Sequence, residues 1–240
     1  MVAGGRTAMN LYVGTSGYSY MEWRGKFYPK NLPARQMLHF YGECFRAVEI
    51  NSTFNGTPNA SVMERWVEAV GGDFKFALKA PRQITHVKRL KGADDLVSHL
   101  LEAAGSLSEH QGPVLFQLPP NSKKDLPRLH AFLALLPSQC YAVFEFRHPS
   151  WFDEGVFGLL RDHRAALCVA DAEDDLEVPF AATADWGYLR LRRSDYSDAQ
   201  LKTWVKRVQK QDWRSAFVFF RHEDEGNGPR LAQRFMELTA

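Results

Sequence analysis

The sequence predicts an α/β fold that consists of a single TIM-type (β/α)8 barrel. The chain has 240 residues, of which 45% are hydrophobic, and one barrel of this type fills about 250 residues. Eight short runs rich in β-branched and aromatic residues recur along the chain, and helix-like stretches separate nearly all of them. The alternative is an open doubly wound sheet, but no glycine-rich phosphate or dinucleotide fingerprint follows a strand.

The individual elements are predicted from short β-rich runs and from helical spacing of apolar residues. The strands occupy residues 11–17, 47–54, 74–80, 113–119, the first half of 141–151, 166–171, 187–193 and 216–222. The helices occupy residues 34–45, 59–70, 96–110, 126–136, 154–163, 199–210 and 230–238. Thr57, Asp153 and Ser197 are suited to cap the second, fifth and sixth of these helices. Residues 172–184 are predicted to be an irregular connection.

The bulk composition limits the compartment and the partners. Residues 1–9 are predicted to form a flexible tail, and residues 10–240 a single barrel domain. The net charge of +2 gives no general signal for binding polyanions. The three cysteines show no Cys-x-x-Cys spacing, which indicates a reduced protein, and we expect a cytoplasmic location. No apolar run approaches about 18 residues, so no membrane contact is predicted.

Charged residues interrupt the fifth predicted strand. Glu145 and Arg147 lie two residues apart in an otherwise apolar run, so both side chains point to the same face. Burying such charges is costly unless they are paired or used in a site. The ends of the other strands carry similar residues: Glu49, Asn51, Lys79, Gln117, Asp171, Arg190, Arg192, Arg221 and His222. Barrels of this class place their sites at these ends, so the pattern predicts a catalytic or binding mouth.

The charge balance at this mouth favours an anionic ligand. One lysine and four arginines face three carboxylates, and the arginine fork matches the oxygens of phosphate. Arg147, Arg190 and Lys79 are therefore predicted to bind the anion. The candidate catalytic residues, which could act as base or hold hydroxyl groups, are Glu145, Glu49 and Asp171. The predicted function is a hydrolase or lyase that acts on a phosphate-containing substrate.

Neutral and aromatic residues complete the predicted binding site. Trp23 and Trp151 follow strand ends and are suited to stack on a ring or a base. Tyr18 belongs to an aromatic-rich loop after the first strand, and His148 follows Arg147 directly. The neutral strand-end members of the site are Asn51 and Gln117.

Other chemistries fit the sequence less well. Glu49 and Glu145 could form a glycosidase pair, but the neighbouring cations would lower a carboxyl pKa, which is wrong for the acid partner. The same cations would repel a divalent metal ion. No metal ion and no cofactor are therefore predicted.

Several motifs occur together along the chain. They are Gly14-Thr-Ser-Gly-Tyr-Ser-Tyr, Glu22-Trp-Arg-Gly, Val48-Glu-Ile-Asn-Ser-Thr-Phe, Ile84-Thr-His, Leu115-Phe-Gln-Leu-Pro-Pro, Phe144-Glu-Phe-Arg-His-Pro-Ser-Trp and Tyr188-Leu-Arg-Leu. In order and spacing they resemble the YecE-like family, domain-of-unknown-function family 72, from residue 10 to the last predicted helix. The resemblance implies a TIM-barrel-type fold and supplies no reaction. The chain departs from the family near Arg221 and His222, where many relatives carry asparagines, so the roles of these two residues stay open.

A nucleic-acid-binding protein without catalysis is the alternative function. The polar connection after the third strand would supply phosphate contacts through His86, Lys88, Arg89 and Lys91. Stacking would come from Trp23, Tyr28 and Trp151. The predicted partner is thus an anionic small molecule or a nucleic acid.

Overall fold

The structure is a computed structural model and describes residues 9–174, 176–221 and 226–239. Within them, eight parallel strands form a nearly closed barrel, which confirms the predicted fold class. The strands are β1 (Asn10–Thr15), β2 (Ala47–Ile50), β3 (Lys75–Lys79), β4 (Gln111–Gln117), β5 (Ala142–Glu145), β6 (Ala166–Asp171), β7 (Trp186–Leu191) and β8 (Ser215–Phe220). The predicted tail, apart from Met9, and His222 lie outside the described residues.

Helices lie in the connections in which the sequence predicts them. They are α1 (Met37–Cys44), α2 (Ala60–Glu68), α3 (Asp94–Gly105), α4 (Leu126–Leu133), α5 (Glu154–Asp162), α6 (Asp198–Gln209) and α7 (Asn227–Glu237). Asp153 and Ser197 cap α5 and α6 as predicted, whereas Asn59 caps α2 in place of Thr57. The described part of the connection between β6 and β7 contains no helix. None of the described helices combines the length and the apolar character that a bilayer span requires.

The interior of the barrel has an apolar lower part and a charged upper part. Side chains from alternate strand positions fill the lower part, among them Ala47, Ala77, Leu115, Val143, Cys168, Trp186, Tyr188 and Phe217. Glu49, Glu145 and Arg190 lie two residues beyond Ala47, Val143 and Tyr188, and all three are buried. Since side chains two residues apart share a face, the strand periodicity places these charges directly above the apolar layer.

The barrel has one seam, between β1 and β2, which no regular ladder closes. Near the mouth, the Gly17 amide donates to the backbone oxygen of Glu49 at 2.7 Å. Below this bond, the hydroxyl of Tyr41 from α1 accepts a hydrogen bond from the Thr15 amide at 2.7 Å and donates to the carbonyl of Ala47 at 3.1 Å. One phenol therefore bridges the two strands where their own backbone groups do not pair.

We expect Tyr41→Phe to lower the free energy of unfolding by about 1–3 kcal/mol. The variant keeps the aromatic ring but leaves the amide of Thr15 and the carbonyl of Ala47, both buried at the seam, without the hydroxyl. Urea unfolding followed by tryptophan fluorescence measures the loss. Tyr141, whose ring is half exposed, provides the matched control, and Tyr141→Phe should stay within about 0.5 kcal/mol of the wild type. Equal stability of both variants would contradict a bridging role for the Tyr41 hydroxyl.

Candidate functional site

Three buried charged side chains form the floor of the barrel mouth. Arg190 donates from Nη1 to Oε2 of Glu145 at 2.5 Å and from Nη2 to Oε1 of Glu49 at 2.8 Å. The exposed fractions are 1% for Arg190, 0% for Glu49 and 3% for Glu145. One guanidinium thus joins β2, β5 and β7 across the barrel. We call these three residues the Arg190 triad.

The carboxylate of Glu49 accepts three hydrogen bonds. Besides Arg190, its carboxylate accepts hydrogen bonds from Ser16 Oγ and from the Tyr188 hydroxyl, each at 2.7 Å. Burial acts to raise the pKa of Glu49, but Arg190 and the two hydroxyl donors outweigh burial and lower the pKa from 4.5 to about 2. Glu49 therefore remains ionised at neutral pH and has no proton to donate.

Glu145 holds Arg190 from the side of β5. Gln117 Nε2 donates to Oε1 of Glu145 at 2.8 Å, and Arg147 Nε lies 4.0 Å from the same oxygen. Burial acts to raise the pKa of Glu145, while Arg190 and Gln117 lower it, and the net result is a lowered pKa. Both glutamates fix the position of Arg190, and their role in catalysis stays a prediction.

Lys79 brings an amine to the mouth from the end of β3. Its Nζ lies 4.3 Å from the centroid of the Phe54 ring, a cation–π arrangement. The buried carboxylates of Glu49 and Glu145 are bonded to Arg190 instead, and within the described residues Lys79 forms no ion pair. Burial and then Arg190 lower the pKa of Lys79 from 10.5 to about 8, against the opposing effect of the two glutamates.

His86 lies against the same aromatic ring. Its imidazole packs edge-on to Phe54 with the ring centroids 4.9 Å apart, and its Nδ1 is 2.9 Å from Thr85 Oγ1. Burial lowers the pKa of His86, and four cations lower it further: Lys79, Arg82, Arg147 and Arg89. These four cations give this side of the mouth a positive potential.

Arg147 and Asn51 lie closer to the rim. The Arg147 side chain is 42% exposed, and its Nη2 is 3.8 Å from Asp174 Oδ2. Oδ1 of Asn51 is buried and has no hydrogen-bond partner among the described residues, and its contact with a substrate stays a prediction. Arg192, half-buried two residues beyond Arg190, adds a further positive charge. We call Lys79, Arg147 and Arg192 the cationic rim.

Comparison with known proteins establishes the family. A family model described as "Protein of unknown function DUF72" matches residues 12–240. The chain belongs to the DUF72 family. This membership confirms the resemblance that the motifs indicate.

Two curated proteins and one solved structure are similar to this DUF72 chain. UPF0759 protein YecE of Escherichia coli is 32% identical over 146 residues, which are 60% of this chain and 51% of YecE. UPF0759 protein YunF of Bacillus subtilis is 27% identical over 150 residues, 59% of this chain and 52% of YunF. The chain thus spans about half the length of these curated relatives. A DUF72 family protein from Thermotoga maritima superimposes with a TM-score of 0.85 at 27% identity, covering 95% of this chain and 98% of that one.

The two tryptophans that sequence reasoning assigned to stacking are enclosed in the DUF72 barrel. Trp23 is 0% exposed and packs among the aromatic rings of its own loop. Trp151 is 2% exposed, stacks on Phe146 with the centroids 4.5 Å apart, and donates from Nε1 to the carbonyl of Ser122 at 2.7 Å. Neither ring offers a face to a ligand, so the stacking interpretation was wrong for both.

Asp171 lies outside the barrel interior, which corrects its assignment to the mouth. It is three residues from Cys168, whose side chain belongs to the interior, so the two occupy opposite faces of β6. Its Oδ1 accepts from Arg193 Nε at 2.8 Å, and its Oδ2 accepts from Trp204 Nε1 of α6 at 3.2 Å. These contacts tie β6 to the outer helix layer, and the strand separates Asp171 from the Arg190 triad.

Tyr18 and His148 mainly support the loops in which they lie. The Tyr18 ring packs near Tyr41, and its carbonyl accepts from the Tyr28 hydroxyl at 2.6 Å. His148 caps the helical turn Pro149–Trp151, because its Nδ1 accepts from the amide of Ser150 at 3.2 Å. Their predicted contact with a substrate stays a prediction, as does the role of Arg221 at the end of β8.

Sequence reasoning missed Phe54 and Ser16 and placed His86 only in a surface connection. Ser16 could have been found, because it lies two residues beyond Gly14 on the inward face of β1. Phe54 and His86 come from two different loops, and no spacing in the sequence predicts that they meet. Within residues 9–174, 176–221 and 226–239, no three His, Cys, Asp or Glu side chains converge to hold a metal ion.

Proposed function

We propose that the barrel mouth binds a phosphorylated or other anionic small molecule, and that the protein is an enzyme of the hydrolase or lyase class that acts on it. The proposal rests on the charge of the side chains at the mouth. Among the described residues, the mouth carries four cations, Lys79, Arg147, Arg190 and Arg192, and three carboxylates, Glu49, Glu145 and Asp174. Both glutamates are bonded to Arg190. An anion would therefore enter a site that keeps an excess of positive charge.

Within this site, the residues divide into a fixed floor and an accessible rim. Arg190 is locked by two carboxylates and supplies a permanent charge below the ligand, with its Nε still lacking a partner among the described residues. Arg147 is accessible, and its ion-pair contacts among the described residues are long, 4.0 Å to Glu145 and 3.8 Å to Asp174. Arg147 is thus suited to close on a phosphate with its fork. Asn51 would accept from a ligand hydroxyl.

The expected result is that inorganic phosphate binds the wild type and that Arg147→Met weakens binding by about tenfold, the loss of one charge-assisted hydrogen bond. Isothermal titration calorimetry at low ionic strength measures both, and added salt should weaken binding because the rim is exposed. Arg193→Met is the matched control, since Arg193 pairs with Asp171 on the outer face of the barrel. Equal phosphate affinity for the two variants, or no binding by the wild type, would overturn the proposal.

Nucleic-acid binding is the competing outcome of the same experiment. Arg82, Lys88 and Lys91 are exposed on the connection after β3 and would contact phosphates. Trp23, Tyr28 and Trp151 are all buried, so none of the three rings that were expected to stack on bases is exposed. An oligonucleotide that binds more tightly than phosphate, and that is released by charge reversal at Lys88 and Lys91 but not by Arg147→Met, would favour this alternative.

The free state of all three cysteines agrees with the cytoplasm as the proposed compartment.

A further inference from the structure

The amine of Lys79 combines three properties that are seldom found together. It is half-buried in the mouth, it lies over the Phe54 ring, and within the described residues no carboxylate pairs with it. A lysine that only supports a fold normally keeps its ammonium in water or pairs it with an acid. Within the described residues, the Nζ atom of Lys79 forms no hydrogen bond and keeps some exposure to solvent.

The environment of Lys79 disfavours the protonated form of its amine. Burial and Arg190 lower the pKa of Lys79 to about 8. Near pH 8 about half of the side chain is then neutral, roughly a hundred times more than for a lysine of ordinary pKa. The neutral form is the nucleophile, and a lysine that is desolvated and placed beside another cation is one of the standard ways to activate an amine.

The bonds within the Arg190 triad explain why neither glutamate forms an ion pair with Lys79. Glu49 and Glu145 are the carboxylates that act to raise the pKa of Lys79. Both are bonded to Arg190 instead, at 2.8 and 2.5 Å. The guanidinium thus withdraws the acids from the amine and adds a positive charge next to it. Burial of the three charges of the Arg190 triad costs free energy. A role in keeping the amine of Lys79 reactive would account for that cost.

We propose that Lys79 is an imine-forming residue whose substrate is an aldehyde or ketone that also carries a phosphate or carboxylate group. This inference rests on the proposed function, because the anionic group of the substrate would bind to Arg147 while its carbonyl carbon lies at Lys79 Nζ. It narrows the enzyme class from hydrolase or lyase to lyase.

The step is balanced without an oxidant or a second substrate. The lone pair of Lys79 attacks the carbonyl carbon, a C–N bond forms, and the carbonyl oxygen takes up a proton. The nitrogen then loses one proton, the oxygen takes up a second proton, and the C–O bond breaks as water leaves, which yields the imine protonated on nitrogen. Protonated on nitrogen, the imine withdraws electrons from the adjacent carbon and weakens a C–C or C–H bond there. His86 shares the Phe54 ring with Lys79, and its lowered pKa suits it to accept and return these protons.

Reductive trapping tests the inference directly. The protein is incubated at pH 8 with glyceraldehyde 3-phosphate or with glyceraldehyde, in the presence of sodium cyanoborohydride, which reduces imines to stable secondary amines. Peptide mass spectrometry then locates the adduct. We expect Lys79 to be modified about tenfold faster than the exposed lysines, because more of its amine is neutral. We also expect the phosphorylated aldehyde to react faster than glyceraldehyde, and inorganic phosphate to protect Lys79.

Two lysine variants separate a reactive amine from a simple positive charge. Lys79→Arg keeps the charge and removes the nucleophile, so it should abolish the adduct and retain phosphate binding by calorimetry. Lys75→Arg is the matched control on the same strand, since Lys75 Nζ donates to the carbonyl of Glu109, away from the mouth. This control should leave trapping unchanged. Peptide mapping of the wild type gives the result independently if Lys79→Arg fails to fold.

Different results would overturn the imine at Lys79 and the anion site of the proposed function. Phosphate binding without preferential modification of Lys79 would overturn the imine and leave the anion site standing. Rapid modification of Lys79 by both aldehydes alike, with no phosphate binding and no protection, would keep the reactive amine and overturn the anion site. Equal modification of all lysines, together with no phosphate binding, would overturn both the imine and the anion site.

Discussion

Arg190→Met should lower the free energy of unfolding by about 3–5 kcal/mol at pH 7, the loss expected when one partner of a buried ion pair is removed. The variant leaves the carboxylates of Glu49 and Glu145 in the barrel without a counter-charge. Both residues are almost completely buried, so water cannot replace the guanidinium without opening the mouth. Urea unfolding, followed by fluorescence and by circular dichroism, measures the difference.

The pH dependence of this loss has a defined sign. In the wild type the pKa of Glu49 is lowered from 4.5 to about 2, so its stabilising contribution is present above pH 4.5 and is lost as the pH falls towards 2. Without Arg190, burial dominates and the carboxyl pKa should rise above 4.5. A raised pKa contributes stability below 4.5 that is lost as the pH increases. The deficit of Arg190→Met should therefore be smallest near pH 2 and grow towards pH 7.

Two further variants show whether the deficit arises from unpaired buried charge. Arg193→Met removes an arginine that is 43% exposed and pairs with Asp171, and it should cost less than about 1 kcal/mol. Combining Arg190→Met with Glu49→Gln and Glu145→Gln removes the unpaired carboxylates and should recover most of the stability at pH 7. A deficit that is independent of pH, or that the added glutamines do not reduce, would show that lost packing of Arg190 is the cause.

Strand periodicity accounts for the part of the site that the sequence predicted correctly. Glu145 and Arg190 each interrupt a run of apolar residues, so the side on which they lie follows from their apolar neighbours. Val143 and Tyr188, two residues earlier, fill the barrel interior. The position of both charges therefore follows from alternation alone. The bond between Arg190 and Glu49 joins residues 141 positions apart, and only the closed barrel brings them together.

Strand periodicity does not predict the position of a side chain where a strand is apolar on both faces, or where the conformation of a loop sets that position. β6 reads Ala-Leu-Cys-Val-Ala-Asp, and this pattern does not distinguish the inward from the outward face. Asp171 was consequently assigned to the wrong side. Trp151 follows a strand end, as a mouth residue would, but the turn at Pro149–Trp151 folds its ring onto Phe146. Local sequence does not specify such tertiary packing of loops, and the same holds for the meeting of Phe54 and His86.

Gly14→Ala should destabilise the barrel by about 3 kcal/mol or more, because it forces a methyl group into the closest backbone approach at the seam. A Cβ at Gly14 would lie 1.9 Å from the carbonyl oxygen of Ala47 and 2.7 Å from the Tyr41 hydroxyl. The first of these atoms belongs to the backbone of β2 and cannot rotate away. The methyl group can be accommodated only if β1 and β2 move apart, which breaks the bridge that Tyr41 provides.

Gly158→Ala makes the same chemical change inside α5, where an added Cβ meets no atom within 4 Å. This control should stabilise the protein by about 0.5–1 kcal/mol, since glycine is unfavourable in a helix. The seam also carries Ser16 and Glu49, so a wider seam should displace the carboxylate from Arg190 and weaken phosphate binding by Gly14→Ala, whereas Gly158→Ala binds normally. Stability of Gly14→Ala equal to that of the wild type would show that the two strands do not approach this closely. Loss of stability with unchanged phosphate affinity would instead separate the seam from the site.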